Sequence, residues 1–193
     1  AATLGKTVDT SLTTNATLLR EEIIDWIVEN DVGVTVSMDG GREQQDKFRV
    51  FNNGMGSYDI VLPNIRMLLE RHRRRPVGAR VTLTKQNLDV ESIYRHLRDE
   101  IGFWEVGFAP VTTSWQRDYA IQEDGFEAML AQFQRLAQEF LDAWRDDWAG
   151  CLLLDVRLPD MSGPDLQAEL QPRGIELPVI FITGHGDIPT SVR

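Results

Sequence analysis

The sequence VGVTVSMDGG, residues 32–41, decides the fold class of the N-terminal part of the chain. Its β-branched run has the length of a strand and is stopped by Asp39 and two glycines, which predicts a strand ending in a turn. Residues 18–30, directly before it, carry apolar side chains at helical spacing and predict an amphipathic helix. The expected apolar stripe of that helix consists of Leu19, Ile23, Trp26 and Ile27.

Strands and helices alternate outward from this stretch. The alternation predicts an α/β fold with parallel strands and right-handed crossovers. A polar, acidic segment at 145–147 predicts a boundary between two domains, 1–146 and 147–193. A polar loop is expected from 39 to about 58. Further strands are predicted at 10–14, 79–84, 104–109, 151–155 and 178–183, and further helices at 59–75, 90–100, 124–144 and 163–171.

Composition excludes several classes of protein. The 193 residues include 30 acidic and 20 basic side chains, and the net charge of −10 argues against direct nucleic acid binding. No stretch approaches the roughly 20 apolar residues of a membrane span, and no signal peptide is visible, so no membrane partner is expected. Cys151 is the single cysteine, which rules out a disulfide framework and predicts a cytoplasmic protein.

Polar side chains at the end of the 32–38 strand form a first candidate site. Ser37 and Asp39 would lie at the C-terminal edge of the sheet, where parallel α/β folds bind ligands. Arg49 follows twelve residues after Ser37, and its guanidinium could grip a ligand carboxylate in a bidentate manner. The alternative is that Asp39 caps a turn and Arg49 pairs with a surface acid. The residue chemistry alone favours this alternative.

Four motifs near this site occur in an order that resembles a known family. TTNATL (13–18), VTVSMDG (34–40), QDKFR (45–49) and GMGSYD (54–59) together resemble radical S-adenosylmethionine (SAM) enzymes, and most of all the peptide-modifying SPASM branch, whose extension carries iron–sulfur clusters. The stretches 50–84 and 101–114 resemble a narrower group, the maturases of quinohemoprotein amine dehydrogenase. These install thioether cross-links in a subunit of that dehydrogenase. The resemblance covers about residues 7–145.

This resemblance implies a partial (β/α) barrel with S-adenosylmethionine (AdoMet) across the C-terminal strand ends. It implies that Ser37 contacts the ribose or methionine part and that Arg49 binds the cofactor carboxylate. Asn15 would lie where the third strand of the family's barrel meets the cofactor. Phe108 belongs to the strand end 107–110 that would flank the adenine. The implied substrate is a peptide or protein, namely the dehydrogenase subunit.

The residues that would hold an iron–sulfur cluster are missing from the sequence. The reaction of the family needs a [4Fe–4S] cluster on three cysteines in a CxxxCxxC loop, whereas this chain has one cysteine, which lies beyond the resembling region. The radical SAM part therefore has no catalytic residue of its own to assign. We expect it to be inactive alone, as a fragment of a larger enzyme.

A second candidate site lies near the C-terminus, in CLLLDVRLPDMSG (151–163) and LPVIFITGHGD (177–187). Each reads as a buried strand, the first ending in Asp155 and the second in Thr183. A turn or capping role for Asp155 is the alternative. Together the stretches resemble the receiver domain of bacterial response regulators, part of a doubly wound, flavodoxin-like sheet. The resemblance implies Asp155 as phosphoacceptor and Mg²⁺ ligand, Thr183 as the phosphoryl switch, the carbonyl of Arg157 as a second Mg²⁺ ligand, and a histidine kinase as partner.

Three hypotheses follow from the sequence. The chain is a fragment of a radical SAM maturase, a phosphorelay receiver module, or a chimeric or truncated product without activity. The basic run RHRRRP, which contains His72, looks like a phosphate patch, but in an acidic protein we expect a solvated helix end. His96 is expected to be a surface helix residue.

Overall fold

The computed structural model describes residues 8–145, 152–155, 163–175 and 178–182. The chain divides into two compact units, 1–136 and 137–193, and each is described by itself. The predicted domain boundary at 146/147 falls within residues 146–151. These lie outside the described residues, so the boundary stays a prediction.

The first unit alternates strands and helices, as expected. Its sheet has the order β1-β2-β3-β4, and all three strand pairs are parallel, which confirms the α/β fold class. Each strand therefore pairs with the one before it in the sequence. The elements are β1 (Ser11–Thr14), α1 (Glu21–Glu29), β2 (Gly33–Ser37), α2 (Arg42–Phe48), α3 (Tyr58–Arg71), β3 (Val77–Leu83), α4 (Val90–Arg95) with a π-helical turn (His96–Ile101), β4 (Glu105–Pro110) and α5 (Glu123–Asp142).

The core lies between one face of this sheet and the helices. In β3 the alternate residues Val77, Ala79, Val81 and Leu83 are buried, whereas Arg80 between them is exposed. The helices contribute apolar side chains to the same cluster. They include Ile24, Ile27, Val61, Ile65, Leu68, Ile93, Leu97 and Met129.

The stripe predicted for α1 is only partly correct. Ile24 and Ile27 are fully buried, while Ile23 and Trp26 are 42% and 55% exposed. The buried face of this helix is therefore rotated from the predicted one, toward Ile24 and away from Ile23 and Trp26. A pattern of four apolar residues could not reveal which of two overlapping stripes the sheet would cover.

The prediction of a loop over 39–58 was wrong in part, because helix α2 lies within this segment. This short helix has no apolar stripe, and its one buried residue is Gln45, so periodicity could not reveal it. The next helix, α3, ends at Arg71 rather than Arg75. His72 is buried at 2% exposure rather than solvated, and one of its ring nitrogens, Nε2, lies 2.8 Å from the carbonyl oxygen of Val32.

The second unit contains a parallel strand pair, as predicted. β5 (Leu152–Asp155) and β6 (Val179–Ile182) pair in a register that sets Asp155 opposite Ile182. The helix between them is α6 (Gly163–Leu170), followed by a short 3-10 turn. Across the part of the chain that the structure describes, no helix is both long and apolar enough to span a membrane.

Candidate functional site

The C-terminal edge of the four-stranded sheet gathers the polar residues that the sequence singled out. Asn15 follows β1, Asp39 lies two residues beyond β2, and Thr84 follows β3. The parallel strands bring their C-terminal ends to a common edge. This is the edge at which open α/β sheets bind ligands, because the loops there are free of the crossover packing.

The centre of this edge is an ion pair between Asp39 and Arg49. The carboxylate of Asp39, a residue only 3% exposed, accepts hydrogen bonds from Arg49 Nε at 2.6 Å and Arg49 Nη2 at 3.1 Å. It also accepts one from the backbone N–H of Thr82 at 2.9 Å. Arg49 therefore does pair with an acid, but the acid is the buried neighbour at the same site rather than a surface residue. The bidentate contact fixes the plane of the guanidinium.

The buried side-chain amide of Gln45 holds the loop that follows β2. The side chain of Gln45, 1% exposed, accepts the backbone N–H of Asp39 at 2.9 Å and donates to Ser57 Oγ at 3.0 Å. These bonds tie α2 to the end of β2 and to the start of α3. Sequence reasoning missed Gln45, since a glutamine in a polar stretch gives no signal of burial.

Asn15 and Arg49 line one recess of about 410 Å³ at this edge. Asn15 Oδ1 accepts from the backbone N–H and the hydroxyl of Thr17, which fixes the loop after β1 in an Asx turn. The recess offers an amide, hydroxyls and a guanidinium beside apolar surface, a combination able to bind a polar ligand that carries a carboxylate. Its lining residues are Asn15, Thr17, Gln45, Arg49, Val50, Phe51 and Ser57.

Ser37 and Phe108, the other residues implied for the cofactor, lie elsewhere on the sheet. Ser37 is the last residue of β2 and is half-buried, in register with Arg80 of β3. The ring of Phe108 packs edge-on against Phe133 of α5, with centroids 5.3 Å apart, on the helix-covered face. The structure thus brings Asn15 and Arg49 together, and it places the Phe108 ring on the helix-covered face of the sheet.

A second recess, of about 330 Å³, lies beyond the end of β4. The rings of Trp115 and Phe126 pack edge-on there, with their centroids 6.4 Å apart and an interplanar angle of 67°. Trp115 is 67% exposed, so its ring is available to a flat ligand. The other lining residues are Pro110, Val111, Thr112, Thr113, Ala120 and Ile121.

His96 has a structural role beside this edge rather than a free surface position. Its Nε2 lies 2.9 Å from the Tyr58 hydroxyl and its Nδ1 lies 2.8 Å from Glu100 Oε2. Burial raises the pKa of Tyr58 above its usual value, so the phenol stays protonated at neutral pH. The pair joins the start of α3 to the π-helical turn.

In the second unit, Asp155 is the last residue of β5, as expected for a phosphoacceptor at the C-terminal edge. Arg157 and Thr183 lie outside the described residues, and Thr183 directly follows Ile182, the register partner of Asp155. Among the described residues of the chain, no group of three or more His, Cys, Asp and Glu side chains could hold a metal ion.

Comparison with known proteins assigns the C-terminal part. Residues 118–193 match the sequence model of the response regulator receiver domain. The match begins before α5 and covers this helix, and Met129 and Phe133 in its first half belong to the core of the first unit.

The curated relatives are response regulators. Nodulation protein W of Bradyrhizobium diazoefficiens is 56% identical over 57 residues, and TodT of Pseudomonas putida is 51% identical over 57 residues. Each match covers 30% of this chain and 25% of the relative. DctR of Rhodobacter capsulatus, a C4-dicarboxylate transport regulator, is 35% identical over 99 residues, which are 50% of this chain and 41% of that protein. The chain therefore spans a quarter of the length of the first two.

The solved structures similar to this chain are radical SAM enzymes. Native anSMEcpe with bound AdoMet and the Cp18Cys peptide superposes with a TM-score of 0.64 at 20% identity, over 72% of this chain and 40% of that one. The form with AdoMet alone gives 0.65 at 21% identity, over 74% and 40%. At this identity the likeness establishes the fold. The chain thus has a sheet with the fold of these structures and a C-terminal part that matches the receiver-domain model.

Proposed function

We propose that the first unit is the AdoMet-binding part of a cytoplasmic, peptide-modifying radical SAM maturase. The observation that carries this proposal is the recess lined by Asn15 and Arg49 at the C-terminal strand edge. Two similar structures with the same fold hold AdoMet, and one also holds a peptide. The motifs quoted above narrow the proposed class to maturases that form thioether cross-links in a quinohemoprotein amine dehydrogenase subunit.

The residues at this edge fit AdoMet. Arg49 is oriented by Asp39 through Nε and Nη2, which leaves its Nη1 hydrogens for the cofactor carboxylate. The Asn15 amide and the Thr17 hydroxyl line the same recess and offer donors and acceptors to the polar part of the ligand. Ser37 would reach the ribose or methionine part from the end of β2. The recess beside Trp115 suits a flat base.

A [4Fe–4S] cluster does not fit this chain. The three thiolates that such a cluster needs cannot come from a sequence with one cysteine. We therefore assign binding and positioning of AdoMet to these residues, and no reaction step. The proposed activity of the chain alone is cofactor binding without cleavage.

Binding of AdoMet and of decarboxylated AdoMet to the unmodified chain tests this assignment. We expect AdoMet to bind, as measured by isothermal titration calorimetry, and decarboxylated AdoMet to bind more weakly. A charge-assisted hydrogen bond contributes about 1.5–3 kcal/mol, which corresponds to a loss of roughly 10- to 150-fold. Equal affinities would show that no cationic side chain of the protein binds the carboxylate of AdoMet.

Two arginine variants place the effect at Arg49. Arg49→Ala should bind both analogues equally, because the residue that distinguishes them is gone. Arg66→Ala is the matched control, since Arg66 lies on α3 in a recess that includes Trp104, at the opposite edge of the sheet. It should keep the preference for AdoMet. Circular dichroism spectra would verify that each variant is folded.

A second candidate function is phosphorylation of Asp155 by a histidine kinase, with Mg²⁺ as cofactor. It is favoured by the receiver match over 118–193 and by the position of Asp155 at the end of a parallel strand. An aspartyl phosphate forms only when a divalent cation neutralises the meeting anions, and we assign Asp155 and the carbonyl of Arg157 to that ion. Thr183 would follow the phosphoryl group.

Acetyl phosphate tests the second function directly. With Mg²⁺, the chain should gain one phosphate by intact mass, and Asp155→Asn should abolish this gain. Asp165→Asn, an exposed carboxylate on α6, should not. If neither AdoMet binding nor phosphorylation occurs, the third hypothesis, a chimeric product without activity, is the one that remains.

A further inference from the structure

The face of the four-stranded sheet opposite the helices is polar, which is unusual for parallel strands. Parallel sheets are normally covered on both faces and apolar on both. Here the residues that alternate with the buried ones are small or polar, and the register aligns them across the strands. They are Ser11, Thr13, Gly33, Thr35, Ser37, Gly78, Arg80, Thr82, Glu105, Gly107 and Ala109, and we call this surface the open face.

Arg80 is the one arginine on the open face, and it lies near its centre. It is exposed although β3 is flanked by strands on both sides. Its register partners are Ser37 of β2 and Gly107 of β4, and its Cδ lies 3.7 Å from the position a Cβ would take on Gly107. The aliphatic part of the Arg80 side chain therefore packs over Gly107, and its guanidinium extends beyond this glycine.

Arg80 differs from its neighbours in having no partner within the described part of the chain. Arg75, below the same face, pairs with Asp9 at 2.6 Å and also donates to the carbonyl of Asp31. Glu105 stands diagonal to Arg80, since its register partner is Gly78, and the two form no ion pair. A guanidinium carries five N–H donors. An exposed arginine on an interior strand with no ion-pair partner can therefore bind an anionic group of a ligand.

The shape of the open face indicates the kind of anion. Four strands spaced about 4.8 Å apart give a surface about 14 Å wide, on which Thr13 and Arg80 are exposed and Ser37 and Thr82 are half-buried. An extended chain rises about 3.3 Å per residue, so a surface of this width can contact several residues of a peptide. Ser37, the register partner of Arg80, is also the residue implied for the cofactor, so a chain on this face would pass beside the bound cofactor.

We propose that Arg80 binds a carboxylate side chain of the peptide substrate, so that the open face selects peptides with an acidic residue. This inference rests on the proposed function, because it takes the substrate to be a peptide held next to AdoMet. Arg80 is a substrate-binding residue in this proposal and takes no part in proton or electron transfer.

Fluorescence anisotropy with two labelled seven-residue peptides tests the proposal, one with a central Glu and one with Gln at that position. The full chain, with saturating AdoMet, should bind the Glu peptide roughly 10-fold more tightly, which corresponds to about 1.4 kcal/mol. Arg80→Ala should abolish this preference, and Arg80→Lys should keep part of it, because lysine retains the charge without the planar fork. Arg66→Ala, on the helix-covered side, should bind like the unmodified chain.

The remaining outcomes separate this inference from the proposed function. Absence of AdoMet binding in the unmodified chain would contradict the proposed function itself. AdoMet binding without a Glu-over-Gln preference would overturn only the assignment of Arg80. If Arg80→Ala weakens AdoMet binding by the factor that decarboxylation does, the carboxylate at Arg80 belongs to the cofactor and not to a peptide. If only the variant Glu105→Gln prefers the Glu peptide over the Gln peptide, Arg80 forms an ion pair with Glu105 in the unmodified chain. This result too would overturn the proposal.

Discussion

Neutralising Asp39 should destabilise the first unit more than any exposed carboxylate does. The side chain of Asp39 is 4% exposed and that of Arg49 is 27% exposed. The substitution Asp39→Asn keeps the size of the side chain and an acceptor for the Thr82 N–H, but it removes the charge that Arg49 faces. The guanidinium then remains in a partly buried position without a counter-ion.

The size of the effect follows from this geometry. Breaking a fully buried ion pair by removing one partner costs about 3–5 kcal/mol. Water reaches about a quarter of the Arg49 side chain, and the asparagine oxygen still accepts one neutral hydrogen bond, so we expect about 2 kcal/mol. With a denaturant dependence of about 2 kcal/mol per molar urea, the midpoint should fall by about 1 M.

Urea unfolding followed by tryptophan fluorescence measures this shift, since Trp26, Trp104 and Trp115 all lie in the first unit. Asp59→Asn is the matched control, because Asp59 also pairs with an arginine, Arg42, but both side chains are more than half exposed. The control should move the midpoint far less. If the two substitutions shift it equally, the buried pair does not stabilise the strand edge and the reasoning is wrong.

Further predictions concern packing and pH. Gly56→Ala should destabilise the first unit by about 1–3 kcal/mol, because the new Cβ would lie 2.2 Å from the carboxyl carbon of Asp46; Gly107→Ala, with ordinary 3.7 Å contacts, should cost less in the same urea titration. The raised pKa of Tyr58 means that the folded state holds this proton longer than the unfolded state, so its stabilising contribution is complete below about pH 10 and is lost above it. Absorbance at 295 nm should show one late-titrating tyrosine that Tyr58→Phe removes; three normal titrations would contradict this. A hydrogen bond from its arginine partner lowers the pKa of Asp9, so the contribution of Asp9 is present above about pH 4 and is lost as the pH falls further. Thermal melts of the unmodified chain and Asp9→Asn should therefore converge in acid, and a constant difference would argue against the pair.

The sequence was sufficient for the elements that form by periodicity. The β-branched run at 32–38 and the amphipathic pattern at 124–144 became β2 and α5, within a few residues at each end. The short helix α2 could not be foreseen, because seven mostly polar residues carry no stripe. Its only buried side chain is Gln45, which is held by hydrogen bonds that exist only after β2 and α3 have met.

The candidate site was foreseen in its members but not in its arrangement. The sequence placed Ser37 and Asp39 at the end of one strand, and in the structure Ser37 is the last residue of β2 and Asp39 lies two residues beyond it. That Asp39 itself would be the acid paired with Arg49 depends on the backbone N–H of Thr82, forty-three residues later, which helps to hold the carboxylate. Arg80 was missed for a similar reason, because only the strand register shows that it stands beside Ser37.

The sequential order of the four strands has a consequence for how the chain acquires its structure. Because β1, β2, β3 and β4 are neighbours both in the sequence and in the sheet, no strand must wait for a distant segment before it can pair. Each new strand–helix unit can add to an edge that already exists, as the chain leaves the ribosome. Growth of this kind leaves an unpaired strand edge after every unit, and a further strand could pair with that edge.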